Sequence, residues 1–137
     1  PYVKAVIDDV VSDCGALLGE GVNAVAIMPN DTKAYPDDSF DNMKRFAAAH
    51  RFSFPYLIDE TQDVARAYGA ACTPDFFGFD RDLKLKFRGR MYEMASGLRK
   101  KDGARRELLE AMRQIARTGV APTDQTPSVG CSIKWRR

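Results

Sequence analysis

Three cysteines, Cys14, Cys72 and Cys131, supply all the thiols of this 137-residue chain. A thiolate attacks disulfides, and thiols are oxidised by peroxides, so each cysteine is a candidate for redox chemistry. Their settings differ. Cys72 lies in Ala71-Cys72-Thr73-Pro74-Asp75-Phe76-Phe77-Gly78-Phe79, where a thiol and a proline meet the mouth of an aromatic strand. Proline removes a backbone donor and restricts the residue before it, so strands tolerate it only at their start. The pattern therefore predicts a turn that delivers Thr73 and Pro74 to the end of a sheet. Cys131 lies in Gly130-Cys131-Ser132-Ile133-Lys134-Trp135, beside residues that can anchor a tail. Cys14 falls on the apolar face of a helix and reads as a packed thiol. No Cys-x-x-Cys is present, and one histidine with scattered cysteines makes no metal site. No cofactor is expected. His50, at a helix end, is read as a surface residue without a catalytic role.

The composition bounds what these residues can serve. The chain is 45% hydrophobic and 29% charged, an ordinary globular balance, and long enough for a core of its own. No apolar run approaches the ~20 residues of a membrane span. A net charge of +2 is too small to argue for nucleic acid. Basic residues do cluster at Arg99-Lys100-Lys101, Arg105-Arg106 and Lys134 to Arg137, without aromatic interleaving beyond Trp135, and read as solvated surface. A small basic surface-binding protein using Arg99 to Arg106 is the third reading. Sparse, odd-numbered cysteines speak for a reducing, cytoplasmic compartment.

The elements that must position the thiols follow from periodicity. Residues 1–20 predict a helix, with Val3, Val6, Ile7, Val10, Val11, Cys14, Leu17 and Leu18 on one face. Val22 to Met28 reads as a strand covered on both faces. A loop to Asp38 leads into a helix from Ser39 to about His50. A short strand within Phe52 to Ile58 and a helix from Asp59–Thr61 to Gly69 come next. Phe76–Phe79 and Leu83–Arg88 predict an antiparallel hairpin, in which Leu83, Leu85 and Phe87 share a buried face. Gly89–Gly103 is read as a mobile loop. Ala104–Thr118 is an amphipathic helix with Leu108, Leu109, Met112, Ile115 and Ala116 on its stripe. The aperiodic tail is expected to dock through Ile133 and Trp135 on the domain or on a partner subunit. Parallel strands followed by a closing hairpin and flanked by helices define an α/β fold.

Read as a whole, the chain resembles the thioredoxin-like superfamily, and more narrowly the bacterial alkyl hydroperoxide reductase and thiol-specific antioxidant (peroxiredoxin-like) proteins. The resemblance rests on Pro1-Tyr2-Val3-Lys4-Ala5, Tyr35-Pro36-Asp37-Asp38-Ser39-Phe40, Phe54-Pro55-Tyr56-Leu57, Asp59-Glu60-Thr61-Gln62, Cys72-Thr73-Pro74-Asp75-Phe76-Phe77 and Gly130 to Trp135. It implies a thioredoxin-like sheet with Thr73-Pro74 at the place of the superfamily's cis-proline. It implies residues 1–119 as the domain, N-terminally truncated, and 120–137 as a tail. The relatives carry a strand and a Cys-x-x-Cys just before the residues that match Pro1. Those redox cysteines and that strand are absent here and expected upstream. The implied function is a thiol–disulfide oxidoreductase or thiol-dependent antioxidant, whose partner is a protein or small-molecule thiol, disulfide or peroxide. Within the chain, Cys131 is the first candidate for a resolving or redox thiol and Cys72 the weaker one. Thr73 and Pro74 would bind substrate, with the Thr73 backbone pairing to an incoming peptide. The alternative is a non-catalytic thioredoxin-like dimerisation or interaction module, and a homodimer is expected in either case because an open sheet position invites pairing.

Overall fold

The computed structural model describes residues 1–137. Helix α1 spans Tyr2–Gly19 and strand β1 Ala26–Met28. After a single turn of tighter helix at Pro36–Asp38 comes α2, Phe40–Ala49. Ser39 caps it, its hydroxyl accepting the Asn42 N–H at 3.2 Å. Strand β2 is Tyr56–Ile58 and α3 is Asp63–Tyr68. The hairpin strands are β3, Phe76–Phe79, and β4, Leu85–Gly89. A minor hairpin, β5 (Met94–Ala95) and β6 (Arg99–Lys100), precedes α4, Glu107–Thr118. No helix is long and apolar enough to cross a membrane.

The strands form separate pairs. β1 pairs β2 in parallel, with Ala26 opposite Tyr56 and Met28 opposite Ile58. β3 pairs β4 antiparallel, with Phe76 opposite Gly89 and Phe77 opposite Arg88. No ladder joins the two pairs. The core lies where α1, β4 and α4 meet, around Val6, Leu17, Phe87, Leu108, Met112 and Ile115. Gly78 in β3 suits this packing, because a Cβ there would press on the Met112 sulfur and lie 3.2 Å from Phe87 Cβ, so Met112 would have to shift.

Two expectations are corrected. The alternation from Leu83 to Phe87 does not make one buried face: Phe87 is 2% exposed, but Leu83 is 81% and Leu85 53% exposed. The Asp80 carboxylate accepts the N–H groups of Asp82 (2.9 Å) and Lys84 (3.0 Å), and Leu83 takes a left-handed φ of 60°. That turn delays the strand to Leu85, and a bulge at Gly78/Phe79 shifts the register behind it. The same backbone donors, Lys84 first, hold the Asp80 carboxyl below its usual range. The segment Gly89–Gly103, read as a mobile loop, carries two core residues. Met91 and Tyr92 are buried in the main cluster, and Met94–Ala95 pairs with Arg99–Lys100.

Tyr92 also anchors a polar seam between α1 and α4. Its hydroxyl donates to Asp9 at 2.6 Å, and burial together with that bond pushes the phenol up. Arg106 donates to both oxygens of the buried Asp13, at 2.7 and 3.0 Å, reaches Asp9, and covers the Tyr92 ring. Burial opposes the Arg106 charge, but the Asp13 bond and charge outweigh it and raise its pKa. A seam with every partner present is stable, whereas loss of one member leaves a buried charge.

Candidate functional site

The turn that carries Cys72 starts where α3 stops. Gly69 ends that helix in the left-handed conformation, φ 67°. Two residues after Gly69 the chain is clamped from below. Asp75 accepts the Ala71 N–H at 3.1 Å and the Arg88 guanidinium at 3.2 Å. Arg88 also donates to Gly69 O at 2.7 Å and lies over the Phe77 ring, 5.0 Å from its centroid. One cation of β4 thus fixes both ends of the turn. The Cys72 thiol donates to Pro74 O at 3.5 Å. Burial pushes this thiol up, Asp75 adds to the rise, and Arg88 partly opposes it. A raised pKa lowers the thiolate fraction at neutral pH, which makes Cys72 a poor attacking group.

The Thr73–Pro74 peptide bond is cis. Thr73 is not an open edge. Its N–H donates to Cys131 O at 2.9 Å and its carbonyl accepts the Cys131 N–H at 3.0 Å. Both groups that an incoming peptide would use are taken by the chain's own tail. The approach is so close that a Cβ on Gly130 would collide with Thr73 O and lie 3.1 Å from Pro74 N. Glycine is needed at that position for steric reasons alone.

The tail reaches this point held on both sides. Upstream, Gln125 donates to Lys86 O and accepts the Arg88 N–H, each at 2.9 Å. Thr126 O accepts the Arg90 N–H at 2.9 Å, and the Ser128 hydroxyl donates to Gly89 O at 2.7 Å. Downstream, the Lys134 N–H donates to Asn30 Oδ1 at 2.9 Å, and Lys134 O accepts the Asp31 N–H at 2.8 Å. Ile133 is 6% exposed, and Trp135 stacks under the Arg66 guanidinium at 4.9 Å. The tail therefore runs along β4, crosses the Thr73–Pro74 turn and ends against the loop after β1.

The sequence candidates fall into two groups. Cys72, Thr73, Pro74 and Cys131 are brought together at one turn, and Cys131 is half-buried there. Cys14 is elsewhere, lining a cavity of about 260 Å³ with Leu18, Phe54 and Pro55. Burial, then Asp13, pushes its thiol up to about 11. His50 pairs with Asp8 across α1 and α2 at 3.0 Å, away from the thiols of the turn. No group of His, Cys, Asp or Glu side chains is arranged to hold a metal ion. Sequence reading passed over the roles of Gly130, Asn30, Arg88 and Gln62. Gln62 and Gly130 lie in stretches that carry the family resemblance, whereas nothing in the sequence marked Asn30 or Arg88.

Comparison with known proteins follows the same outline. Residues 1–88 match the family described as AhpC/TSA family. An uncharacterized conserved protein from Geobacillus kaustophilus is 44% identical, with a TM-score of 0.88 over 98% of this chain and 70% of that one. A hypothetical protein from Sinorhizobium meliloti is 36% identical, also with a TM-score of 0.88, over 99% of this chain and 74% of that one. No curated protein matches the chain.

Proposed function

The chain belongs to the AhpC/TSA family and has a thioredoxin-like α/β fold, and from that premise we propose that it works as a thiol–disulfide oxidoreductase or thiol-dependent antioxidant in which Cys131 is a redox thiol. The observation that supports this is the antiparallel pairing of Cys131 with Thr73, which seats a half-buried sulfur-bearing residue on the Pro74 turn beside Cys72. Cys131 Sγ attacks one sulfur of a disulfide, a new S–S bond forms, and the other sulfur leaves as a thiolate. A free thiol then attacks the mixed disulfide and releases Cys131. With a peroxide, the thiolate takes one oxygen to give a sulfenic acid and an alcohol or water, and a second thiol condenses with it, expelling water. Cys72, its thiol disfavoured as a thiolate by burial and Asp75, is a packed neighbour that shapes the turn.

The test is turnover by the full chain of insulin disulfides, and separately of hydrogen peroxide, with dithiothreitol as reductant. Cys131→Ser is expected to lower either rate at least about tenfold, as loss of an exchanging thiol does. Cys14→Ser is expected to leave it within about twofold, since a thiol titrating near 11 takes little part at neutral pH. Equal rates for Cys131→Ser and the parent chain would remove Cys131 from the mechanism.

A further inference from the structure

Gln62 is the most deeply buried polar residue of the chain, 1% exposed, and immediately precedes α3. Its φ of 68° is left-handed, a conformation that a residue with a side chain keeps only where its surroundings demand it. The demand comes from three hydrogen bonds. The side-chain amide donates to Pro29 O at 2.8 Å and to Lys134 O at 2.9 Å, and its oxygen accepts the Arg136 N–H at 2.9 Å. A residue of a parallel strand bonds to its neighbour in a related way: its own N–H donates to the carbonyl before a partner residue and its own C=O accepts the N–H after it. With its single side-chain amide Gln62 takes the place of that residue's N–H and C=O, and Trp135 is the residue bracketed. A side chain thereby supplies one rung of sheet to the tail.

The two tail contacts of Gln62 both lie beyond Cys131, and the upstream contacts of Gln125, Thr126 and Ser128 lie before it. Between these anchors the backbone of the tail meets the domain through the Thr73–Cys131 pair. Downstream the tail is fixed at Lys134 by Asn30, Asp31 and Gln62, and at Arg136 by Gln62. We propose that Gln62 is the positioning residue for Cys131: by latching Lys134 and Arg136 it holds that thiol against Thr73–Pro74. The role deepens the reading of Cys131 as a redox thiol and rests on it. The placement itself rests on geometry alone and is testable without turnover.

Site-resolved alkylation of the full chain with iodoacetamide, read by mass, reports each thiol separately. Gln62→Ala removes all three bonds. The Cys131 rate is expected to rise roughly tenfold, the shift that loss of about one to two net hydrogen bonds produces. Cys14 and Cys72 keep their rates, and insulin turnover falls. Unchanged labelling of Cys131 overturns the proposal. A uniform rise at all three thiols marks a loosened domain, and a second variant then decides. Arg136→Pro, at the exposed end of the tail, deletes the N–H that Gln62 accepts together with the guanidinium that lies 3.9 Å from Asp31, and Arg136→Ala, which keeps the N–H, controls for the lost side chain. Arg136→Pro is expected to raise Cys131 labelling alone, by about two- to fivefold. The absence of a selective rise there overturns the proposal. A selective rise in a chain that turns over neither insulin nor peroxide keeps the Gln62 latch and removes the oxidoreductase reading.

Discussion

Helix α4 and residues 120–137 follow one another and are held by different forces. The helix buries Leu108, Ala111, Met112 and Ile115 along one stripe, and its exposed face carries the ion pairs of Arg113 and Arg117 with Glu20. The tail fully buries one side chain, Ile133. It is fixed instead by hydrogen bonds: its backbone meets the side chains of Asn30 and Gln62, and its own Gln125 side chain accepts the Arg88 N–H. Burying apolar area stabilises whatever the exact geometry, whereas hydrogen bonds of this kind act only at one register. The helix therefore supplies stability and the tail supplies placement. The thiol with a proposed role is on the element that is placed.

Substitutions that separate stability from placement test this contrast. Ile115→Ala has the largest expected effect, about 2–5 kcal/mol of global stability, read as a lower midpoint in urea. Its effect reaches every probe of the fold alike. Gly130→Ala is expected to cost about 1–3 kcal/mol, because the new methyl must push Thr73 away. Here hydrogen exchange should accelerate at the Thr73 and Cys131 amides while α4 keeps its protection; equal acceleration in α4 would break the comparison. Trp135→Ala removes a half-exposed stack on Arg66 and is expected to cost about 0.5–1 kcal/mol, confined to the tail. The last difference is in pH. Tyr92 on the α1–α4 side has a phenol raised above its ordinary value by burial and by Asp9. The unfolded chain thus loses that proton first, so the stability linked to it is whole below the ordinary tyrosine range, about 10, and is lost as pH rises past it. Tyr92→Phe should flatten the alkaline fall of the urea midpoint without changing exchange at Cys131.

The same contrast explains what the sequence made legible. Leu108, Met112 and Ile115 of the α4 stripe, the bounds Phe76–Phe79 and the closing hairpin follow from period and turn chemistry and agree with the structure, whereas Ala116 is exposed and Ala111 is buried. Cys131 and Ile133 could be singled out because Cys, Ile and Trp are unusual together in a tail. How they are held could not be read, since a side-chain amide that stands in for strand backbone leaves no period. Gly89–Gly103 misled for the converse reason: its glycines and basic residues read as a loop, while two residues, Met91 and Tyr92, fix it to the core. Leu83 and Leu85 alternate correctly but are turned outward by the Asp80 carboxylate, a polar contact that outranks the pattern. Thr73 was legible as a turn residue, yet its occupied backbone depends on Gly130, which lies far along the chain.

The tail's contacts also set an order of events. Lys134 bonds Asn30 across 104 positions, and Arg136 bonds Gln62 across 74. Contacts that distant, like those of Arg106 with Asp9 and Asp13 across 97 and 93 positions, require long loops to close, so they form after the local hairpin and the single helices. Changes at Gln62 or Gly130 should therefore leave the folding rate almost untouched and appear in the unfolding rate. The chain would open first at the seam that holds Cys131, so this thiol would meet solvent transiently before the rest of the domain comes apart.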